Sequence, residues 1–149
     1  MMYGSQRSTS FVVRELLQKV EKQRISVVIG IPCEEQKHEK RVPLTPETVA
    51  LLVESGYRVL IEAGAGLTIN YTDSYYAESG AEIVDSAAEV FQADLVLKIL
   101  PPTMDEICMM RPRSTIFSFL YIHKLSLPLL ELMSEKKINA LAYELLYDD

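Results

Sequence analysis

Several features that define other protein classes are scarce or missing in this sequence of 149 residues. Its two cysteines, Cys33 and Cys108, lie far apart without CxxC spacing, so we expect no disulfide framework and no zinc site, but two buried or half-buried thiols in a reducing compartment. No apolar run approaches the ~20 residues that cross a bilayer, so no membrane partner is expected. With 15 basic against 21 acidic residues, the net charge of −6 argues against a nucleic-acid partner.

A dinucleotide fingerprint is missing as well. The segment "EAGAG" (62–66) places Gly64 and Gly66 after a predicted strand, as a phosphate-binding loop would. Ile69, however, stands where the third glycine of GxGxxG belongs, and no helix opens at once. The segment therefore predicts a turn, and no cofactor is expected to bind to this chain.

Short β-rich runs alternate with helical patterns through most of the chain. This alternation predicts an α/β domain with a mainly parallel, doubly wound (flavodoxin-like or Rossmann-like) sheet of about five strands and helices on both faces. The predicted strands are 25–32, 57–66, 93–100, 114–121 and 138–146, with a further brief run at 81–84. The predicted helices are 45–56, 72–81, 86–93, 103–111 and 126–137.

Four helix starts carry capping signals. Thr45 followed by Pro46 suits an N-cap and a first helical position, and Asp73 is expected to cap the second helix. Ser86 with Glu89, and Thr103 with Glu106, have the spacing of capping boxes.

The N-terminal residues form a segment of their own. Residues 1–10 are polar, and the apolar positions of 11–24 have the spacing of one helix face. We therefore expect an extension with an amphipathic helix at 1–24 and an α/β domain at 25–149. Without an apolar signal region, the predicted location is cytoplasmic.

Three basic side chains fall near the carboxyl ends of predicted strands, where functional residues of such folds collect. Arg41 lies in the polar loop after the first strand, Lys98 near the end of the third and His123 just past the fourth. Together they suit a small anionic substrate with a carbonyl group. Each also has an ordinary interpretation: a solvated arginine, a lysine that reaches water, or a loop histidine.

The sequence resembles the N-terminal domain shared by alanine dehydrogenases and the α subunit of nicotinamide nucleotide transhydrogenase. The resemblance rests on "IGIPCEEQKHEKRVPLTPETVALLVESGYRVLIEAGAG", "DLVLKILPP" and "YIHK", and it extends over roughly residues 26–149. It implies the substrate domain of an NAD-dependent oxidoreductase that interconverts L-alanine with pyruvate and ammonia.

The resemblance also implies site roles. Arg41 would hold the substrate carboxylate, Lys98 would contact the carboxylate or carbonyl region, and His123 would act as acid/base. Glu34 or Glu35 in the first loop would be the acidic partner of Lys98, because a buried ammonium needs one. The NAD(H)-binding domain would be missing from this chain, which would by itself be inactive, and the enzyme would be a homo-oligomer.

The sequence leaves other functions open. His123 favours the dehydrogenase over the transhydrogenase, but "HKLS" (123–126) departs from the small apolar turn of the family. A saccharopine dehydrogenase of the lysine pathway, or a stand-alone module that binds a small amino or keto acid, is therefore also considered, as is an oligomerisation domain built on helix 11–24.

Overall fold

The computed structural model describes residues 26–35 and 38–146. It confirms the α/β architecture, with one sheet whose strands are all parallel. The predicted helix 11–24 lies outside the described residues. The strands are β1 (Val28–Ile31), β2 (Arg58–Glu62), β3 (Glu82–Val84), β4 (Leu95–Leu97), β5 (Thr115–Ser118) and β6 (Asn139–Ala142).

The order of the strands across the sheet is β3-β2-β1-β4-β5-β6. This is the Rossmann order and not the flavodoxin order, and it reverses direction between β1 and β4. The sheet has six strands where about five were expected, because the brief run at 81–84 forms the edge strand β3 and pairs with β2. Ligands of such sheets bind in the crevice at the carboxyl ends of the two strands at the reversal point.

Helices cover both faces of the sheet, as predicted. Val49 and Tyr76 from the first two helices pack with Ile29 and Ile61 on one face. The later helices pack around Val96 on the opposite face, together with Ile107, Met110, Leu129 and Met133. The helices are α1 (Pro46–Glu54), α2 (Asp73–Glu78), α3 (Ala87–Val90), α4 (Met104–Met109) and α5 (Leu127–Glu135). None of the helices in the described part of the chain is long and apolar enough to span a bilayer.

Two of the predicted helix starts are confirmed. Thr45 caps α1, where its Oγ1 accepts a hydrogen bond from the Thr48 N–H, and Pro46 is the first helical residue. Thr103 and Glu106 form a complete capping box at α4: each side chain accepts a hydrogen bond from the other residue's backbone N–H.

The other two starts differ from prediction. Ser86 precedes α3, but its side chain makes no capping hydrogen bond in this helix of a single turn. Thr72, and not Asp73, caps α2. Asp73 instead accepts a hydrogen bond from the Gly64 N–H at 2.8 Å, so this carboxylate stabilises the turn after β2.

Gly30 in the middle of β1 allows α3 to pack directly on the sheet. A Cβ atom at this position would lie 2.5 Å from the Val90 carbonyl oxygen and 2.9 Å from the Ala93 Cβ. Because the nearest atom belongs to backbone, the clash has no easy relief by a side-chain rotation.

We predict that Gly30→Ala lowers the free energy of unfolding by about 3 kcal/mol, the upper end of typical overpacking costs. Gly56→Ala is the control: Gly56 has φ +93°, and a Cβ added there would meet no atom within 4 Å, so only backbone strain of about 1 kcal/mol is expected. Urea denaturation of both variants measures the difference. Equal losses would show that β1 and α3 have room to separate.

Candidate functional site

The crevice between β1 and β4 brings two predicted site residues together. β1 leads through Pro32 and Cys33 into Glu34, and β4 is followed directly by Lys98. The Lys98 Nζ lies 3.2 Å from the Glu34 Oε2, so the structure places the lysine and one of its two predicted partners in contact across the reversal point. The other predicted partner, Glu35, is exposed.

A second carboxylate completes the surroundings of Lys98. The Nζ donates a hydrogen bond to Glu106 Oε1 at 2.7 Å, and the lysine is only 2% exposed. Burial acts to lower the pKa of Lys98, but Glu106 and Glu34 together outweigh it, so the pKa lies above its ordinary value. The ammonium is therefore charged and paired at neutral pH.

Both carboxylates have further hydrogen bonds that fix them. Glu34 accepts from the backbone N–H of Ile99 at 2.6 Å, and Glu106 accepts from the N–H of Thr103 at 2.8 Å. The three side chains, which we call the Glu34–Lys98–Glu106 triad, thus join the loop after β1, the end of β4 and the start of α4. From the sequence, Glu106 was predicted only as a capping residue. The capping box uses one carboxylate oxygen, Oε2, and leaves Oε1 free to accept a hydrogen bond from Lys98.

Arg41 lies in the loop before α1 and has its own acidic partner. Its Nε and Nη2 donate to the two oxygens of Glu39 at 2.9 and 2.7 Å, and its Cζ lies 5.8 Å from the centre of the Phe119 ring. The hydrogen bond from the Arg41 side chain is the main cause that lowers the pKa of Glu39 to about 2. Glu39 was not predicted as a site residue.

A cavity of about 300 Å³ opens beside Arg41. Glu34 and Glu39 contribute negative charge to its wall, and Arg41 is the one cation among these described lining residues. Lys98 does not line it, because its ammonium is enclosed in the triad. The remaining wall is formed by Cys33, Gly64, Ala65 and Thr68.

Aromatic rings lie at the carboxyl ends of β5 and β6. Phe119 stacks on Tyr121 with ring centres 5.8 Å apart and packs against Tyr143 at 5.2 Å. Phe117 lies 4.1 Å from Tyr143. Since Phe119 also faces Arg41, this cluster connects the loop before α1 to the far half of the sheet.

His123 follows β5 in a turn at the surface. It is exposed in the 3₁₀ turn Ile122–Lys124, and within the described ranges no hydrogen bond or ion pair joins it to Arg41 or Lys98. Tyr121, with φ 46°, turns the chain before it, and the Glu144 carboxylate accepts the Tyr121 N–H. That His123 joins Arg41 and Lys98 in one site thus stays a prediction.

The cysteines and the glycine turn have structural environments. Cys33 is half-buried, and burial is the main cause that raises its pKa to about 11, so its thiol is protonated and not a nucleophile. Cys108 is exposed, contrary to expectation, because it lies on the outer side of α4. Gly64, with φ +87°, lies in a turn, as predicted for "EAGAG".

The connection after β1 differs from the short glycine-rich turn of a dinucleotide-binding domain. A long connection, residues 32–45, separates β1 from α1, and Glu34 places a carboxylate where a pyrophosphate would need N–H groups and a helix N-terminus. Across residues 26–35 and 38–146, no three His, Cys, Asp or Glu side chains are grouped to hold a metal ion.

The fold and the crevice define an α/β domain with Rossmann strand order and an arginine-lined cavity at its strand ends. Residues 30–149 match the family described as "Alanine dehydrogenase/PNT, N-terminal domain", and the chain belongs to this family. The membership confirms the family inferred from the sequence.

Curated relatives come from both branches of the family. The chain is 36% identical over 119 residues to an alanine dehydrogenase of Bacillus subtilis, covering 79% of this chain and 31% of that protein. It is 34% identical over 119 residues to the NAD(P) transhydrogenase subunit alpha of Haemophilus influenzae, again covering 79% of this chain but 23% of the relative. The chain thus spans about a third or less of the length of these relatives.

Solved structures give the same two branches. An L-alanine dehydrogenase superposes with a TM-score of 0.75 at 33% identity, over 79% of this chain and 32% of that one. A transhydrogenase from Sinorhizobium meliloti gives a TM-score of 0.74 at 28% identity, over 82% of this chain and 36% of that one. The fold is therefore shared with enzymes of both activities.

We predict that Lys98→Met lowers the free energy of unfolding at pH 7 by about 3–5 kcal/mol, because it leaves two buried carboxylates without their counter-charge. Because the folded pKa lies above the ordinary value of 10.5, this stabilisation is fully present below pH 10.5 and is lost as the pH rises through the folded pKa. Lys40→Met, in the exposed loop, is the control and should change stability by less than about 0.5 kcal/mol. Thermal and urea unfolding measure both; a loss no larger than that of the control would mean that the triad contributes no net stability.

Proposed function

We propose that this chain is the substrate domain of an NAD(P)-dependent amino-acid dehydrogenase that interconverts L-alanine with pyruvate and ammonia. The observation that carries the proposal is the guanidinium of Arg41 at a cavity of about 300 Å³ on the carboxyl side of the sheet. A guanidinium binds a carboxylate through two parallel hydrogen bonds, which fits the acid group common to alanine and pyruvate. The match to alanine dehydrogenases at 36% and 38% identity supports the substrate class.

Three basic residues have different roles in this proposal. Arg41 binds and orients the carboxylate. Lys98 is a positioning residue, since a direct contact with substrate requires the displacement of Glu34 or Glu106 from an ammonium that is 2% exposed. His123 transfers the proton at the carbonyl oxygen or amino group of the bound ligand.

The cofactor belongs to another part of the proposed enzyme. NAD(P) supplies the hydride acceptor, and a separate nucleotide-binding domain holds it, because the crossing after β1 is unsuited to a dinucleotide. The 149 residues alone are therefore expected to bind the small acid but neither to bind NAD tightly nor to turn over substrate. We further propose a cytoplasmic enzyme assembled from identical subunits.

We predict that Arg41→Met in the protein encoded by the intact gene lowers kcat/KM for alanine-dependent NAD⁺ reduction about 100-fold, the size expected for a lost charge-assisted carboxylate contact. Arg58→Met is a matched control, because Arg58 makes the same side-on pair with Glu82 at the far edge of the sheet. Steady-state kinetics should show no more than a twofold change for the control. Wild-type kinetics in the Arg41 variant would exclude it as the carboxylate-binding residue.

A transhydrogenase α-type role is the second candidate. Neither Lys98 nor His123 is among the described residues that line the cavity. This favours the transhydrogenase role, since hydride exchange between two nucleotides needs no proton donor in the cavity. The identity of 34% to a transhydrogenase α subunit is close to the values for the dehydrogenases.

His123→Gln distinguishes the two candidates. A dehydrogenase that uses His123 as acid/base should lose about 100-fold or more in kcat, whereas hydride exchange between NADH and an NADP⁺ analogue should be unaffected. Lys124→Gln, the adjacent exposed residue, is the control and should leave both activities unchanged. Full alanine dehydrogenase activity in the His123 variant would remove this residue from the mechanism.

A further inference from the structure

The Arg41–Glu39 pair uses only one edge of the guanidinium. Glu39 occupies the Nε and Nη2 edge through its two oxygens. An arginine carries five N–H donors, so the second N–H of Nη2 and both of Nη1 are left. Among the described residues none accepts a hydrogen bond from Nη1. The edge formed by Nη1 and Nη2 is the one that a second carboxylate would meet end-on.

Both members of the pair have a further contact, the guanidinium with an aromatic ring and the carboxylate with a backbone N–H. The Phe119 ring lies 5.8 Å from its Cζ, and the Arg41 backbone N–H donates to Glu39 Oε1 at 2.9 Å. The Glu39 side chain is 10% exposed although that of Arg41 is 60% exposed. The acid is thus the enclosed member of the pair, and the arginine is the member that reaches into open space.

The charges around the cavity restrict the ligand further. Glu34 and Glu39 are acidic, Arg41 is basic, and all three line the same wall. A second negative charge on a ligand would meet these carboxylates, and no cation other than Arg41 is found among the described lining residues. The wall therefore suits a monoanion better than a dianion.

We propose that Glu39 is a positioning residue, which holds one edge of the Arg41 guanidinium so that its opposite edge is aligned for the single carboxylate of a small 2-oxo or 2-amino acid. This inference rests on the proposed function, in which Arg41 binds the substrate carboxylate. The flexible arginine side chain is ordered before the ligand arrives, so less conformational entropy is lost on binding. Because the pKa of Glu39 is about 2, this contact persists at every physiological pH.

The opposite role, in which Glu39 competes with the ligand for Arg41, makes a different prediction. A competitor must leave the Nε edge when the ligand binds, and its neutralisation would strengthen binding. A positioning residue keeps the Nε contact, and its neutralisation weakens binding. The sign of the effect therefore separates the two roles.

The experiment is a pyruvate titration of the full 149-residue chain, with arginine side chains labelled with ¹⁵N and observed by NMR. We expect pyruvate to shift the Nη resonances of Arg41 while its Nε resonance stays in place. Glu39→Gln should weaken the pyruvate Kd about tenfold, the cost of ordering one free side chain, and Glu39→Asp should recover part of the loss. Glu82→Gln, the matched acid of the Arg58 pair, should have no effect, and backbone spectra verify that each variant is folded.

Other outcomes would overturn the positioning role of Glu39, the proposed function, or both. Tighter or unchanged pyruvate binding in a folded Glu39→Gln variant, or a shifted Nε resonance, overturns the positioning role but leaves the proposed function standing. Unchanged pyruvate binding in Arg41→Met, or no shift of Arg41 in the wild type at the highest pyruvate concentration, overturns the proposed function and with it this inference. Equal affinity for pyruvate and a dicarboxylic 2-oxo acid overturns the preference for a monoanion.

Discussion

The buried ammonium of Lys98 determines how the carboxyl edge of the sheet is built. Lys98 follows β4 directly and points between the sheet and α4, where an unpaired ammonium would be costly. The two carboxylates that compensate it come from the loop after β1 and from the first turn of α4. Because each carboxylate also accepts a backbone N–H, the loop after β1 is tied to the end of β4 and the start of α4, about 65 residues further along the chain. The position of the cavity wall at Glu34 follows from this arrangement.

The two cations at this edge of the sheet have different surroundings: Lys98 is enclosed, and Arg41 lines the cavity. Because the Lys98 ammonium is paired with two carboxylates, Arg41 is the one cation that lines the cavity among the described residues, and it is paired with a separate acid, Glu39. The aromatic cluster under the guanidinium extends this support to β5 and β6. The charged side chains around the cavity are thus largely paired with one another. A ligand must therefore match the free N–H groups of Arg41 in position as well as in charge.

Much of the fold could be predicted from the sequence, and less of the site. The alternation of apolar runs and capped helices indicated the parallel sheet, and a polar loop rich in glutamate suggested a partner for Lys98, which the structure places at Glu34. Glu106 was hidden because its capping role explains its position without a second contact. Glu39 looked like one charge in a solvated run, since the side-on pairing depends on a loop conformation with no periodic signal. The location of His123 depends on the left-handed backbone at Tyr121, which tyrosine rarely adopts and no spacing reveals.

The strand order of this domain is the one found in nucleotide-binding domains, but its strand ends are occupied differently. Nucleotide-binding domains with the same order reserve the mouth between their first and fourth strands for phosphate, with glycines that let the ligand touch main chain. In this chain a glutamate fills that mouth from inside and satisfies the main-chain amides of Ile99 and Leu100 itself. One acidic side chain thereby takes the place that a phosphate has in those domains, and the cavity lies to the side, at Arg41 and the first loop. Two domains with the same strand order can accordingly differ in what their strand ends accept, because one side chain is enough to occupy the backbone N–H groups there.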